Sequence, residues 1–525
     1  MLFPKSRMAS ELLDVTSGSD EQVENNSTDV TRRQIRGSSL LLIGNVISLA
    51  ITFLPHILLA RYLATEAYGH LTYGLSLVAI GKTYSLGFNE AMSRFVPIYQ
   101  TKHEPSKVLG SIVVVFAITL SISALFLGVF CVASRQILGL LTHGREPAGL
   151  LLILIFLVPL ETLEILIMNL FACFARARII FWGRHIIAPS LRVIAISLVV
   201  VRHYGLPFLA LGYVCCQLVT VLPFGVLLIR ELGQQKLLQA WRSVIFPVRE
   251  IVRFSGPLMA SNLVGSLGNA VPVLLLGYFH SMSTVAYFRV VLPAAVLSTV
   301  IQAAFTPLFM PSASRLFAQG DAKGMNHLFW HSALWMGVLA FPIFVATSSF
   351  AQPFTMFLYG TRYAVSAPIM AILSVGNFVY AIFGSNAVML KAMGRVRLMV
   401  ILNIVSPIAS VLLNLLLIPH YGAIGAAVGT SAGLILSCLL RQLGLRRGSG
   451  ISFFEMRYAP YFLVLGSNFI ALSAIQLVAH CNFYVAMILT LADSVLVLWL
   501  VRKQLRIGDT FPEILRLPLV GRFLA

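Results

Sequence analysis

The chain has 525 residues, of which 58% are hydrophobic and only 11% are charged, whereas soluble globular domains carry about 25% charged residues. Its net charge of +19 suggests a nucleic-acid partner, but no nucleic-acid-binding motif accompanies the charge. Apolar runs of about 20 residues, each long enough to cross a bilayer, exclude a soluble protein. The fold class predicted is an all-α polytopic membrane protein, because the runs lack the alternation of barrel strands.

The apolar runs predict about fourteen transmembrane helices. In chain order they lie near residues 38–60, 71–96, 108–134, 148–171, 185–201, 207–229, 254–279, 284–308, 328–350, 366–390, 398–419, 422–440, 458–479 and 481–501. Of the 38 lysines and arginines, 30 lie on one side of these spans and 5 on the other. Because cytoplasmic loops carry the excess of basic residues, both termini are predicted to be cytoplasmic. The positive charge thus reflects topology, and no nucleic-acid partner is expected.

A constant offset of 217 positions relates two parts of the chain. Four residue pairs of spans 1 and 7 obey it: Arg36 and Arg253, Ser38 and Ser255, Asn45 and Asn262, and Pro55 and Pro272. Such self-similarity indicates a duplicated unit. Because each unit holds an even number of spans, the copies have the same orientation and form two parallel six-helix repeats.

The repeat divides the chain into six predicted regions. They are a disordered cytoplasmic tail (1–31), an N-lobe with spans 1–6 (32–229), a cytoplasmic linker (230–253), a C-lobe with spans 7–12 (254–440), an appended helix pair (441–501) and a basic cytoplasmic tail (502–525).

Five ionisable side chains inside spans are candidate functional groups, because a charge in the bilayer usually faces a cavity or a partner. Lys82 lies in span 2 without a local partner. Glu161 and Glu164, three residues apart on one face of span 4, lie at a depth similar to that of Arg192 in the next, antiparallel span. In one interpretation, Arg192 forms a structural ion pair with these glutamates. In the other, two carboxylates share one guanidinium, and one carboxylate is left able to carry a coupling proton. Arg289 in span 8 either faces a cavity or extends to the membrane interface.

The matched helices 1 and 7 supply four further candidates. Arg36 and Arg253 open these helices at the cytoplasmic mouth, and Asn45 and Asn262 occupy equivalent positions within them. The asparagines are also explained by hydrogen bonds between helices. Metal-binding, nucleophile and nucleotide-binding signatures are absent from the sequence, so no catalytic residue, metal or cofactor is predicted and the chain is not expected to be an enzyme. None of the six cysteines forms a CxxC pair.

Several stretches resemble a known family. The opening RGSSLLLIGNVIS, the segment LLARYLATEAYGHLTYGLSLVAI, the end of span 2 (SLGFNEAMSRFVPIYQ) and IPHYGAIGAAVGTSAG in the second half are similar to the polysaccharide transporter, or O-antigen flippase, family. That family belongs to an exporter superfamily that also contains multidrug extruders and the lipid II flippase. The resemblance covers roughly residues 33 to 500.

The resemblance implies two lobes around a V-shaped, cation-lined cavity of the MATE type, plus a C-terminal helix pair. It implies a flippase that moves a polyprenyl-pyrophosphate-linked oligosaccharide to the outer leaflet of a bacterial inner membrane by alternating access, for O-antigen, lipopolysaccharide or exopolysaccharide synthesis. Lys82, Arg289 and Arg192 are the cations available as phosphate anchors. Expected partners are the lipid-linked oligosaccharide, membrane lipids, a glycan polymerase and chain-length regulators. The alternatives are a cation-coupled multidrug extruder of the same fold and an integral membrane glycan polymerase.

Overall fold

The computed structural model describes residues 51, 53–142, 148–447 and 451–505, so the candidates Arg36 and Asn45 lie outside the described residues. These ranges are mostly helical and contain no strand. The helices are α1 (53–62), α2 (Thr65–Gly81), α3 (Tyr84–Thr101), α4 (Pro105–Thr142), α5 (Ala148–Ile155), α6 (Leu157–Cys173), α7 (Ala177–Ile180), α8 (Ala188–Arg202), α9 (Leu206–Gln234), α10 (Val248–Phe279), α11 (Met282–Ala295), α12 (Thr299–Ala318), α13 (Ala322–Thr347), α14 (Ala351–Tyr359), α15 (Ala367–Phe383), α16 (Ser385–Ala392), α17 (Val396–Arg446), α18 (Ala459–Ala479) and α19 (Phe483–Leu505). We call α1–α9 the N-lobe and α10–α17 the C-lobe.

Ten helices in the described ranges are long and apolar enough to cross a membrane, or eleven if α11 and α12, which meet at 42°, form one span. The prediction of an all-α polytopic membrane protein is confirmed. The helix α17 covers both predicted spans 11 and 12, and the chain kinks between them at Gly422, where φ is +54°. Glycine adopts this left-handed conformation without the steric penalty that a Cβ would bring.

The second predicted span is not one continuous helix. It is divided into α2 and α3 by a turn at Lys82 and Thr83. Side-chain hydroxyls bind backbone carbonyls around this turn: Thr83 Oγ1 donates to the Ala79 carbonyl at 2.8 Å, and Ser85 Oγ donates to the Lys82 carbonyl at 2.7 Å. Such local bonds give backbone carbonyls hydrogen-bond partners other than the N–H groups of the helix. The break places Lys82 at the end of α2, with its side chain free to leave the helix surface.

The two lobes meet at one end of the bundle through α1, α2 and α11. Arg61 Nε donates to the Leu358 carbonyl at 2.9 Å, and Arg362 donates to the Ala60 and Arg61 carbonyls. Gly69 permits the closest approach, because a Cβ there would lie only 2.0 Å from a backbone oxygen of α11. We call this end, which carries few basic residues, the opposite end.

The lobes also meet at the basic end, where the loops carry most lysines and arginines. Tyr99 Oη at the end of α3 donates to Glu250 Oε2 of α10 at 2.7 Å. The Arg94 guanidinium lies 4.7 Å from the centre of the Phe254 ring, within the range of a cation–π contact. At Gly87 a Cβ would lie 2.8 Å from a backbone nitrogen of α10. Contacts between the lobes therefore exist at both ends of the bundle.

The C-terminal helix pair packs against the C-lobe. Its helices α18 and α19 contact each other and α13, and their buried residues join the hydrophobic cluster built on α13. Asp493 of α19 is only 8% exposed.

Candidate functional site

A cavity of about 230 Å³ lies between the lobes, between the two sets of end contacts. The N-lobe contributes Ser76 and Lys82, and the C-lobe contributes Ser266, Asn269 and Arg289. The structure therefore brings together two of the cations singled out in the sequence, although they lie more than 200 positions apart. One comes from each lobe.

Arg289 lies on α11 and is half-buried. It forms no hydrogen bond or ion pair with another residue of the part of the chain that the structure describes. A guanidinium carries five N–H donors and stays charged at any physiological pH. A cation so placed, facing a cavity rather than a carboxylate, is suited to receive an anion from outside the chain.

Lys82 has no partner nearby in its own span, but it is paired with a carboxylate of α6 that is distant in sequence. Its Nζ lies 2.5 Å from Glu161 Oε2, and the other carboxylate oxygen, Oε1, accepts from Arg192 Nη2 at 3.3 Å. The Glu161 side chain is 12% exposed and the cations are 33% and 35% exposed. The predicted ion pair between spans 4 and 5 is present, and Glu161 bridges two cations rather than one.

Glu164 contacts an amide instead of a cation. Gln217 of α9 donates from Nε2 to Glu164 Oε2 at 2.5 Å and accepts from Arg192 Nη2 through Oε1 at 3.0 Å. Lys82, Glu161, Arg192, Gln217 and Glu164 thus form one chain of contacts, which we call the N-lobe network. With two cations and two carboxylates it is formally neutral, so Arg289 supplies the uncompensated charge of the neighbouring cavity.

A second cavity of about 220 Å³ lies on the N-lobe side of the Lys82–Glu161 pair. It is lined by residues of α1, α2, α6, α8 and α9, among them Pro55, His56, Arg192 and Tyr213. Because Lys82 lines both this cavity and the one between the lobes, the Lys82–Glu161 pair stands between them.

The remaining described candidates lie toward the basic end. Arg253 is exposed near the start of α10. Asn262, further along α10, donates from Nδ2 to Glu90 Oε1 of α3 at 3.2 Å and so links the lobes. It also lines a third, larger polar cavity, of about 480 Å³, which lies mainly between α10 and α17. Asn262 thus lines a cavity adjacent to the one between the lobes, whereas Arg253 lines none of the three cavities described here.

Sequence reasoning missed the polar face of α10. Asn262, Ser266 and Asn269 are spaced at i, i+4 and i+7, the spacing of one helix face. This spacing could have indicated a polar stripe in an otherwise apolar span. Gln217 could have been found in the same way, as a polar residue in the middle of span 6 that is 1% exposed.

The arrangement is suited to hold an anion. No group of three or more metal-ligating side chains lies close together in the described ranges. The cavity between the lobes offers cations, hydroxyls and an amide, which together suit an anionic ligand that accepts hydrogen bonds.

Known proteins resemble this chain in sequence and in fold. A membrane protein of Methanocaldococcus jannaschii, MJ1068, is 21% identical over 426 residues, which are 77% of this chain and 82% of that protein. The probable low-salt glycan biosynthesis flippase Agl15 of Haloferax volcanii is 20% identical over 195 residues, covering 37% of this chain and 41% of Agl15.

Among solved structures, a lipid II flippase MurJ in an inward closed conformation aligns with a TM-score of 0.69 at 14% identity, covering 88% of this chain and 98% of that structure. An inward-facing multidrug resistance MATE family transporter aligns with a TM-score of 0.63 at 13% identity, covering 76% of this chain and 94% of the transporter. The fold is therefore MATE-like, with two parallel six-helix repeats and a C-terminal helix pair.

The sequence also matches a family profile. Residues 35–317, more than half of the chain, match the family described as polysaccharide biosynthesis protein. This region contains the N-lobe network, Arg289 and the polar face of α10. The chain is a membrane flippase or transporter, and it belongs to the polysaccharide biosynthesis protein family.

Proposed function

We propose that this protein is a flippase for a polyprenyl-pyrophosphate-linked oligosaccharide, which it moves from the cytoplasmic to the outer leaflet of a bacterial inner membrane. The glycan serves surface or exopolysaccharide biosynthesis, such as that of O-antigen. A glycan polymerase and chain-length regulators act on the product. The observation that carries the proposal is the cavity between the lobes, which Lys82 and Arg289 line from opposite sides.

Charge favours an anionic cargo over a cationic drug. The described lining of this cavity contains Lys82 and Arg289 and no carboxylate. A cation entering it would meet like charge, whereas a pyrophosphate would gain charge-assisted hydrogen bonds. Arg192 contributes through the N-lobe network, and Arg253 lies where a phosphate would enter from the cytoplasm.

The N-lobe network supplies a means of coupling. When a phosphate binds Lys82, it competes with Glu161 for the same ammonium group. In this scheme Glu161, or Glu164 through Gln217, carries a proton during the transport cycle, while Asn262 holds the lobes together at the basic end.

Surface glycan export tests the proposed function. In cells lacking this protein, the lipid-linked oligosaccharide should accumulate with its sugar on the cytoplasmic side, and surface glycan should be lost. A membrane-impermeant lectin or glycosidase applied to spheroplasts measures the sidedness. If the oligosaccharide reaches the outer face in such cells and only its chain length changes, the protein is a polymerase and the proposal is wrong.

Alternating access predicts opposite effects for two glycine substitutions. Gly87→Val introduces a side chain against the α10 backbone at the basic end, and Gly69→Val does the same against α11 at the opposite end. Each should hold open the end that it disrupts. A cysteine placed at Ser266, in a background without native cysteines, should become reactive from the cytoplasmic side with Gly87→Val and from the outside with Gly69→Val.

Matched controls are available in the same assay. Gly128 and Gly149 have no neighbour within 4 Å of an added Cβ, so valine at either position should leave the labelling unchanged. If Gly69→Val and Gly87→Val change labelling from the same side, the two end contacts are not alternating gates.

A further inference from the structure

The third cavity has features that the proposed anchors do not explain. It is the largest of the three cavities described above and is formed mainly by α10 and α17 of the C-lobe. It shares Leu86, Ser266 and Asn269 with the cavity between the lobes, so the two are adjacent. We call it the C-lobe chamber.

The lining of the C-lobe chamber is polar and carries one charged side chain. Serine, threonine, asparagine and tyrosine side chains supply most of its polar groups, and Arg441 supplies its charge; no carboxylate is among the lining residues. Hydroxyls and amides can each donate and accept hydrogen bonds. A lining of this kind is suited to a ligand rich in hydroxyl groups.

Several of these groups have no partner within the described part of the chain. Arg441 donates from Nη2 to Asn403 Oδ1 at 3.1 Å, but its Nε and Nη1 are buried and donate to nothing. Ser406 Oγ and Thr430 Oγ1 are also buried without a partner. Buried polar groups are nearly always hydrogen-bonded, so four unsatisfied atoms on residues that line one cavity favour a polar ligand site beside them.

We propose that the C-lobe chamber binds the sugars of the transported lipid, with Arg441 holding an acidic group carried by the glycan. This inference rests on the proposed function. With the pyrophosphate at Lys82 and Arg289, the attached sugars extend past Ser266 and Asn269 into the adjacent chamber. An unpaired guanidinium prefers a carboxylate or phosphate, which it can bind through two parallel N–H donors.

The test compares three probes on the purified full-length protein in nanodiscs. They are a short-chain polyprenyl pyrophosphate alone, the same lipid with a neutral hexose disaccharide, and the same lipid with a disaccharide containing a uronic acid. The wild type should bind the acidic probe most tightly. Arg441→Gln should weaken binding of the acidic probe about tenfold or more, since it removes hydrogen bonds to a charged group. The same substitution should change the affinity for the sugar-free lipid by about twofold or less, because it alters at most one uncharged contact with that lipid.

Two further variants guard against a folding defect. Thr430→Val changes little volume and removes one unpaired hydroxyl, so it should weaken both sugar-bearing probes and spare the sugar-free lipid. Arg315→Gln removes an exposed arginine of α12 and should change none of the three affinities. Thermal unfolding of each variant shows whether it is folded.

Three results would overturn the inference. They are equal wild-type affinity for the neutral and acidic probes, an Arg441→Gln variant that retains the preference, and an equal loss for all three probes, which would assign Arg441 to the pyrophosphate. All three leave the proposed function intact. Failure of the proposed function looks different, because Arg289→Gln would then bind the sugar-free lipid as well as the wild type does.

Discussion

Arg289→Gln should reduce export of lipid-linked glycan by about tenfold to a hundredfold, the effect of losing hydrogen bonds to a charged group. The reason is the position of Arg289: it lines the cavity between the lobes and has no carboxylate partner among the described residues. Glutamine keeps polarity and much of the length while removing the charge. Surface glycan, normalised to the amount of protein in the membrane, measures the effect.

Two further variants show whether export depends on the positive charge of Arg289 itself or on any loss of positive charge from the protein. Arg289→Lys keeps the positive charge but not the planar guanidinium, and should retain an intermediate level of export. Arg315→Gln removes an exposed arginine of α12 and should export normally. Normal export by Arg289→Gln at wild-type protein levels would remove Arg289 from the proposed set of phosphate anchors.

Glu161→Gln should give the largest loss of stability among the variants of the N-lobe network. The substitution leaves Lys82 and Arg192 without the carboxylate that bridges them at 2.5 and 3.3 Å. Breaking a fully buried pair typically costs about 3–5 kcal/mol. Because both cations are about one-third exposed, we expect the free energy of unfolding to fall by about 1–3 kcal/mol. Thermal unfolding in detergent should show a lower midpoint.

A double mutant isolates the ion pair from other effects of the substitution. Glu161→Gln alone leaves Lys82 beside the like charge of Arg192. Adding Lys82→Gln removes this repulsion, so the double variant should be more stable than Glu161→Gln alone. If the losses from Lys82→Gln and Glu161→Gln simply add, then the contact between these side chains does not contribute to stability, and the bridging role of Glu161 is wrong.

The membrane-spanning helices could be predicted from hydropathy, whereas their breaks could not. Spans such as 254–279 and 458–479 fall on α10 and α18, because continuous apolar runs must be helical in lipid. The break at Lys82 escaped prediction because the hydroxyls of Thr83 and Ser85 that bond to nearby carbonyls there do not differ from those of Thr72 and Ser76, which make the same bonds inside α2. Those residue types also occur in unbroken membrane helices, so their presence alone does not specify a turn.

The site could be predicted only where its partners are close in sequence. The Glu161–Arg192 contact followed from two consecutive antiparallel spans of similar depth. The Lys82–Glu161 contact joins spans 2 and 4. The spacing of residues within a span does not indicate which nonconsecutive helices pack together. The cavity between the lobes depends in the same way on α2 facing α11, a contact between halves of the chain that the repeat alone does not determine.

The C-lobe chamber shows the same limit for small polar residues. Ser406 and Thr430 lie on different parts of α17, and serine and threonine are common in membrane helices as satisfied hydrogen-bond donors. The kink at Gly422 folds the two halves of α17 against each other, and α10 completes the cavity that these residues line with Arg441. Their lack of partners is a property of the packing and has no signature in the sequence.

The most direct measurement of the central claim is translocation by the purified protein in proteoliposomes. A short-chain polyprenyl pyrophosphate bearing a fluorescent oligosaccharide is the substrate, and the same glycolipid without the pyrophosphate is the control. The account predicts that the protein moves the pyrophosphate-linked lipid across the bilayer, that it moves the control lipid far more slowly, and that Arg289→Gln abolishes the difference. Equal movement of the two lipids, unchanged by Arg289→Gln, would contradict the account.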